Sequence, residues 1–406
     1  MRINVAALFL LLLKFSLAAA ESSNISNALR PYVERHELAG AVTLVASKDK
    51  ILSLEAVGYA DIAAKKAMQT DAIFWVASMS KPVTAAALMM LVDAGKIDLD
   101  DPVQRYLPHF DPKIMVLTED GNSVQLQSPQ HPITVRNLLS HTSGLPFSSS
   151  IEKPTLDVFP LAVGVKSYSL EPLRFEPGGD YQYSNAGINT AGRIIEVVSG
   201  MSYADFLQKR LFKPLEMTDT TFWPTKAQLS RLAKSYRPDA SWTNLEETPV
   251  TQLHYPLDDR RQRHPMPAGG LFSTAVDMAK FCQLFLNGGT VNGKRYLSLE
   301  AIQEMTHSQL DPDHQSGAAA MMKIQRGYGL GWETSASGAY GHGGAYSTHM
   351  YVDPEHGLAT VWMVQHAGFP GEGGKSRAAF EAAVAKQFIS EEEQKVSQRA
   401  GAGSSR

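Results

Sequence analysis

Apolar and polar positions change period several times along the chain, and the changes mark out its elements. Ala41–Ser47 and Ile51–Gly58 are β-rich runs on either side of Lys48-Asp49-Lys50, a pattern that predicts a hairpin. Tyr346–Val352 and Leu358–Gln365 flank Asp353-Pro354-Glu355-His356-Gly357, whose turn residues predict a second one. Between them the spacing becomes helical. Val83–Gly95 is a continuous helical stretch closed by a glycine. Thr134 is placed to cap Val135–His141, which Gly144 and Pro146 terminate, and Ile188–Ser199 runs up to Gly200. Asp111–His131 is polar and carries Gly121-Asn122, a surface loop or small hairpin. Ser376–Phe388 is an alanine-rich helix. Strands near both ends with helices between them predict an α/β fold of the α+β type: an antiparallel sheet built from N- and C-terminal segments and flanked by helices. The expected division is a sheet domain from 21–100 plus 270–389 and a mostly helical inserted region over 101–269. From Ser390 the chain turns charged and then Gly/Ser-rich, so 390–406 is expected to be a disordered tail.

The first twenty residues have a different character. Arg2 gives a positive start, Val5–Leu13 is apolar, and Ala18-Ala19-Ala20 forms a small-residue cleavage site. Lys14 keeps the apolar run well short of the ~20 residues that a membrane span needs. Export with cleavage after Ala20, to the periplasm or outside the cell, is the expectation, with no stable membrane insertion afterwards. The 406 residues are 44% hydrophobic and 19% charged, ordinary globular composition, and the net charge of -3 gives no electrostatic basis for binding nucleic acid. A small molecule is the expected partner. Cys282 is the only cysteine, which excludes an internal disulfide; inside the apolar stretch Met278–Phe285 it is expected to be a buried structural thiol.

Three segments carry candidate chemistry. In Phe74-Trp75-Val76-Ala77-Ser78-Met79-Ser80-Lys81-Pro82, Ser78 stands at a helix start, where unpaired N–H groups and the dipole favour developing negative charge. Lys81 follows three residues later on the same face, and burial would make it a neutral base for the serine proton. In Tyr181-Gln182-Tyr183-Ser184-Asn185, Tyr183 and Asn185 alternate along an extended segment. A phenol whose pKa is lowered by a nearby ammonium can shuttle a proton, and Asn185 can hold the lysine amine or a substrate carbonyl. In Gly341-His342-Gly343-Gly344-Ala345, glycines admit a substrate to a strand edge, and the Ala345 N–H with that of Ser78 can form an oxyanion hole. Taken singly, each segment also has a plain structural reading: a serine cap with a solvated lysine, an aromatic packed in a loop, a tight turn before a strand.

Taken together, Ser-x-x-Lys, then Tyr-Ser-Asn, then His-x-Gly before a late strand resemble the serine β-lactamase and penicillin-binding protein superfamily. The class C β-lactamase-like branch, with its family VIII carboxylesterases, is most similar. Ile133-Thr134-Val135-Arg136-Asn137-Leu138-Leu139-Ser140-His141-Thr142-Ser143-Gly144-Leu145 and Phe175-Glu176-Pro177-Gly178 strengthen the likeness, which extends from about Leu38 to Phe388. The resemblance implies a covalent acyl-enzyme on Ser78, with Lys81 and Tyr183 moving protons and no metal or cofactor.

The likeness has one departure. Many members carry Lys-Thr-Gly or Lys-Ser-Gly where this chain has His342-Gly343-Gly344. Histidine is mostly neutral above its usual pKa of about 6.5 and glycine has no hydroxyl, so two contacts to a substrate carboxylate are missing. At roughly 1.5–3 kcal/mol each, they amount to about two or more orders of magnitude in affinity. Neutral short-chain esters are therefore expected to be preferred over β-lactams and peptides with a free C-terminus, unless Arg326 or another arginine restores the contact. If His342 must be neutral, activity should fall on the acid side near 6.5. A β-lactamase or D-alanyl carboxypeptidase/aminopeptidase, a transferase, or a non-turnover penicillin-binding sensor would use the same residues. His141 reads as a structural residue at a helix end, where a cation is favoured. Tyr181 and Tyr346 are expected to line the acyl pocket.

Overall fold

The computed structural model describes residues 24–389, apart from 112, 120–123, 156 and 311–325. The expected signal segment 1–20 and tail 390–406 lie outside the described residues. Both ends of the described chain feed one eight-stranded sheet. Its N-terminal strands are β1 (Gly40–Ala46), β2 (Ile51–Asp61) and β3 (Lys66–Ala67). Its C-terminal strands are β4 (Arg326–Tyr328), β5 (Glu333–Ser335), β6 (Tyr340–Gly343), β7 (His349–Asp353) and β8 (Leu358–Met363). The spatial order is β4-β5-β6-β7-β8-β1-β2-β3, and every neighbouring pair is antiparallel. Both expected hairpins are present, β1–β2 and β7–β8, the latter three residues shorter at its start because Tyr346 lies in the preceding turn.

β1 is apolar at almost every position because helices cover both of its faces. Val42, Leu44 and Ala46 point into the main core with Val361 and Met363 of β8, beneath helix Ala275–Leu286. Ala41 and Val45 point the other way, against Trp362, Ile25 and Leu29 of helix Asn24–Glu34, and Phe380 of helix Ser376–Val384. Trp362 stacks on Phe380 at 5.6 Å, a burial of large aromatic surface of the kind that stabilises by about 1.5–3 kcal/mol per side chain. Cys282 is buried in helix Ala275–Leu286, and burial pushes its thiol up to about 12, which leaves it inert.

Three further helices position the site: α1 (Ser80–Asp93), α2 (Val135–Leu139) and α3 (Asn185–Ser199). The Thr134 hydroxyl and the Asn137 side chain form a reciprocal capping box at the start of α2. α3 begins three residues earlier than its periodicity predicts, because the Ser184 hydroxyl accepts the Gly187 N–H at 3.0 Å. It stops at Gly200, which takes a φ of 68°. Met115–Glu119 and Val124–Gln127 pair antiparallel, so of the loop or small hairpin expected within 111–131 the hairpin is the one formed.

Candidate active site

Ser78 stands in a single tight turn, Ala77–Met79, that runs directly into α1. Ala77, before it, is held at φ 45°, a left-handed conformation that a non-glycine residue adopts only under constraint from its surroundings. The constraint is a zipper to residues 267–273. Phe74–Trp75 pairs with Phe272–Ser273, Val76 N–H donates to Leu271 O at 3.0 Å, and Trp75 Nε1 donates to Gly269 O at 2.7 Å. Further along, Ser80 Oγ accepts from Leu271 N–H at 3.2 Å, and Thr84 Oγ1 donates to Pro267 O at 2.8 Å. Lys81 is drawn into the same seam.

The Lys81 amine is buried; it donates to Ala268 O at 2.7 Å and lies 3.0 Å from Ser78 Oγ. Burial holds its pKa well below the usual lysine value, with the Glu333 carboxylate acting weakly in the opposite direction. A neutral amine that donates one N–H to a fixed carbonyl keeps its lone pair for the Ser78 proton. The Tyr183 ring lies with its centroid 4.6 Å from Lys81 Nζ, and its hydroxyl is near enough to Ser78 for that side chain to act on its pKa. Ser78 and Lys81, from one stretch of sequence, and Tyr183, from another, therefore converge on one site.

Burial raises the Tyr183 pKa, and Ser78 only partly opposes the shift. The sequence-based expectation of a phenol acidified by an ammonium is thereby reversed: burial dominates at Tyr183, and the same burial lowers the pKa of the neighbouring amine. Asn185 is not in an extended segment. It is the first residue of α3, held by its N–H to Phe147 O at 3.1 Å, and its buried Oδ1 has no hydrogen-bond partner among the described residues. An unpaired carbonyl oxygen facing away from water needs a donor, and the contacts of Lys81 go to Ser78 and Ala268 instead.

The third segment closes the site from the sheet. Gly344 follows β6 and packs on the turn before the nucleophile: a β-carbon there would stand 2.6 Å from Val76 O and 2.1 Å from Thr348 Oγ1. Glycine is required for that approach, and it brings the Gly344–Ala345 backbone beside residues 76–78. His342 is buried at the end of β6, and burial depresses its pKa to about 3, with Lys81 acting in the same direction. Neutrality at His342 is as expected, but its titration lies far below 6.5. The side chain of Arg326, at the start of β4, lies outside the described residues.

Sequence reasoning missed three participants. Ala268 orients the lysine through a backbone carbonyl, which no side-chain pattern reveals. His141 is no helix-end cation: it is fully buried, and burial, with Lys81 and His342 acting in the same direction, keeps it neutral. Its ring lies 4.5 Å from that of Tyr183 and 4.7 Å from that of Tyr328. Tyr328 was marked only by glycines on both sides, of which Gly329 and Gly331 touch backbone closely. Tyr181 is half-buried beside Tyr328 at 5.7 Å. Tyr346 is buried against Trp75, with its hydroxyl donating to Pro249 O and accepting from Thr251 N–H, so it braces the 249–251 loop and not an acyl chain.

With this geometry in place, comparison with known proteins adds a family. Residues 25–384 match the family model described as Beta-lactamase. The chain is similar to an uncharacterised protein of Mycobacterium tuberculosis, 31% identical over 84% of this chain and 88% of that one. It is also similar to esterase EstB of Burkholderia gladioli, 33% identical over 54% and 55% of the two chains. Among solved structures, EstCE1, a hydrolase with promiscuous acyltransferase activity, superposes with a TM-score of 0.73 at 23% identity, over 89% of this chain and 97% of that one.

Proposed function

We infer that this chain, which belongs to the beta-lactamase family and is a serine hydrolase, acts as a carboxylesterase on small neutral esters through an acyl-enzyme at Ser78. The observation that carries the substrate class is the buried, neutral His342 followed by two glycines: this strand offers neither a cation nor a hydroxyl to a substrate carboxylate. The similarity to an esterase supports it.

In the proposed reaction the neutral Lys81 amine takes the Ser78 proton as Oγ attacks the ester carbonyl. The N–H groups of Ser78 and Ala345 receive the oxyanion. Tyr183, held as a phenol, protonates the departing alkoxide and regains a proton from the Lys81 ammonium. Water then attacks the acyl-enzyme along the same route in reverse, releasing the acid and restoring the serine. The pKa directions favour Lys81 over Tyr183 as the resting base, because burial favours the neutral form of both groups and only the amine is a base when neutral. We further propose that the protein is exported by its first twenty residues; no helix among the described residues is long and apolar enough to cross a membrane.

Turnover of p-nitrophenyl butyrate against nitrocefin tests the reading. The ester should be hydrolysed at least about 100-fold more efficiently, the value of the two missing contacts. Ser78→Ala should abolish both activities. Faster nitrocefin turnover would assign the chain to β-lactam or peptide chemistry, and a stable penicillin adduct on Ser78 without product would make it a sensor.

A further inference from the structure

Behind Tyr183 runs a line of hydrogen bonds that the proposed reaction does not use. Ser184 N–H donates to His141 Nδ1 at 3.1 Å; His141 Nε2 lies 3.1 Å from the Tyr328 hydroxyl; the same hydroxyl lies 3.1 Å from His342 Nε2; and His342 Nδ1 lies 2.7 Å from Gly343 O. Both ends are backbone groups with fixed roles, since an amide N–H only donates and a carbonyl only accepts. The protons between them are assigned by that boundary. His141 accepts at Nδ1, so its proton is on Nε2 and goes to the Tyr328 oxygen. Tyr328 has one proton, which goes to His342 Nε2. His342 therefore carries its own proton on Nδ1, facing Gly343 O. One direction runs through all four bonds, and it makes the two histidines opposite tautomers.

We propose that Tyr328 is a positioning residue whose hydroxyl, between His141 and His342, locks the Tyr183–Asn185 segment to the end of β6, so that the proton donor and the oxyanion edge are held as one unit. Tyr328 and His141 are fully buried, so a broken link has no water to replace it, and an orphaned polar group destabilises its neighbours. The line reaches both reacting sides. Ser184 directly follows Tyr183 and caps α3, while Gly343 directly precedes the Gly344–Ala345 backbone that packs on the nucleophile turn. Reversing any one bond is forbidden. If Tyr328 turned its proton to His141 Nε2, the His141 proton would have to move to Nδ1, against the Ser184 N–H. Disturbance at residue 342 is thus transmitted to residue 184, although the two belong to different parts of the chain.

The inference goes beyond the choice of substrate and requires only that Ser78 reacts. Tyr328→Phe removes the hydroxyl and keeps the ring. Nitrogen-15 NMR of histidine-labelled protein at pH 7.5 should show His141 as the Nε2–H form and His342 as the Nδ1–H form in the wild type, with at least one of these fixed states lost in Tyr328→Phe. The kcat on p-nitrophenyl butyrate should fall about 10- to 100-fold with KM nearly unchanged, as expected for a sub-ångström loss of alignment. If that ester is not a substrate, the rate of Ser78 labelling by a fluorophosphonate should show the same fall, so failure of the esterase reading is told apart from failure of this one. In a His342→Gln background, Tyr328→Phe should have little further effect, because the line is already cut. A hydroxyl that only fills space would leave tautomers and rate unchanged, or give independent losses in the double variant; either result overturns the proposal.

Discussion

Gly344→Ala places the smallest possible perturbation between the oxyanion edge and the nucleophile turn. The added carbon would begin 2.1 Å from Thr348 Oγ1 and 2.6 Å from Val76 O, where contacts under 3.0 Å essentially never occur. Thr348 can rotate, at the cost of its own bond to Val76 O at 3.4 Å, but the Val76 carbonyl belongs to the backbone that carries Ser78. The two strands of the site must therefore separate by about 0.4 Å, the difference between the Val76 contact and the closest tolerated approach. Oxyanion donors work within about 2.7–3.1 Å, so a separation of that size uses the whole tolerance for the neighbouring Ala345 N–H. Full loss of one such donor costs about 10²–10³ in kcat, and a partial loss of about 10- to 100-fold is expected here. Saturation kinetics on p-nitrophenyl butyrate, with the thermal midpoint measured in parallel, provide the assay. Gly343→Ala is the matched control, because a β-carbon there meets nothing closer than 3.7 Å. A Gly344→Ala kcat within about threefold of wild type, which is under ~1 kcal/mol, would refute the oxyanion geometry. Equal damage from Gly343→Ala would do the same.

Two further expectations concern protons. Lys81 must be neutral to act as a base, so activity should rise with pH through its lowered pKa, while His342 is neutral at all pH values above about 3. The acid limb of kcat/KM should accordingly stay in place in His342→Gln, and a limb that moves would return that titration to the histidine. The second concerns stability. His366 is buried, accepts the Ala39 N–H at 3.1 Å, and is pushed by burial to about 3, against about 6.5 when unfolded. Above 6.5 neither state binds the proton; between 6.5 and 3 only the unfolded state does, so stability falls as pH falls. At pH 5 the loss is about 2 kcal/mol from this one ring. Urea unfolding at pH 7.5 and pH 5 should show a pH-dependent drop smaller by that amount in His366→Gln, and an unchanged drop would contradict the burial of a neutral imidazole.

By itself the sequence determined the local elements and the chemistry-bearing residues. Turn residues and β-rich runs marked both hairpins, Gly95 and Gly200 marked helix ends, and Thr134 marked a cap, because these depend on contacts within a few residues. Ser78 and Lys81 were legible for the same reason: their spacing along a helix start is local. Tertiary structure alone decided their protonation and their partners. Whether Tyr183 is acidified or held as a phenol depends on how much water the assembled walls exclude, and burial reversed the sign expected from an ammonium neighbour. Ala268 contributes a carbonyl that any residue type could supply. His141 and Tyr328 meet across 187 positions of sequence, and their roles follow from fixed backbone groups at the two ends of a line that exists only once α2, β4 and β6 have packed together.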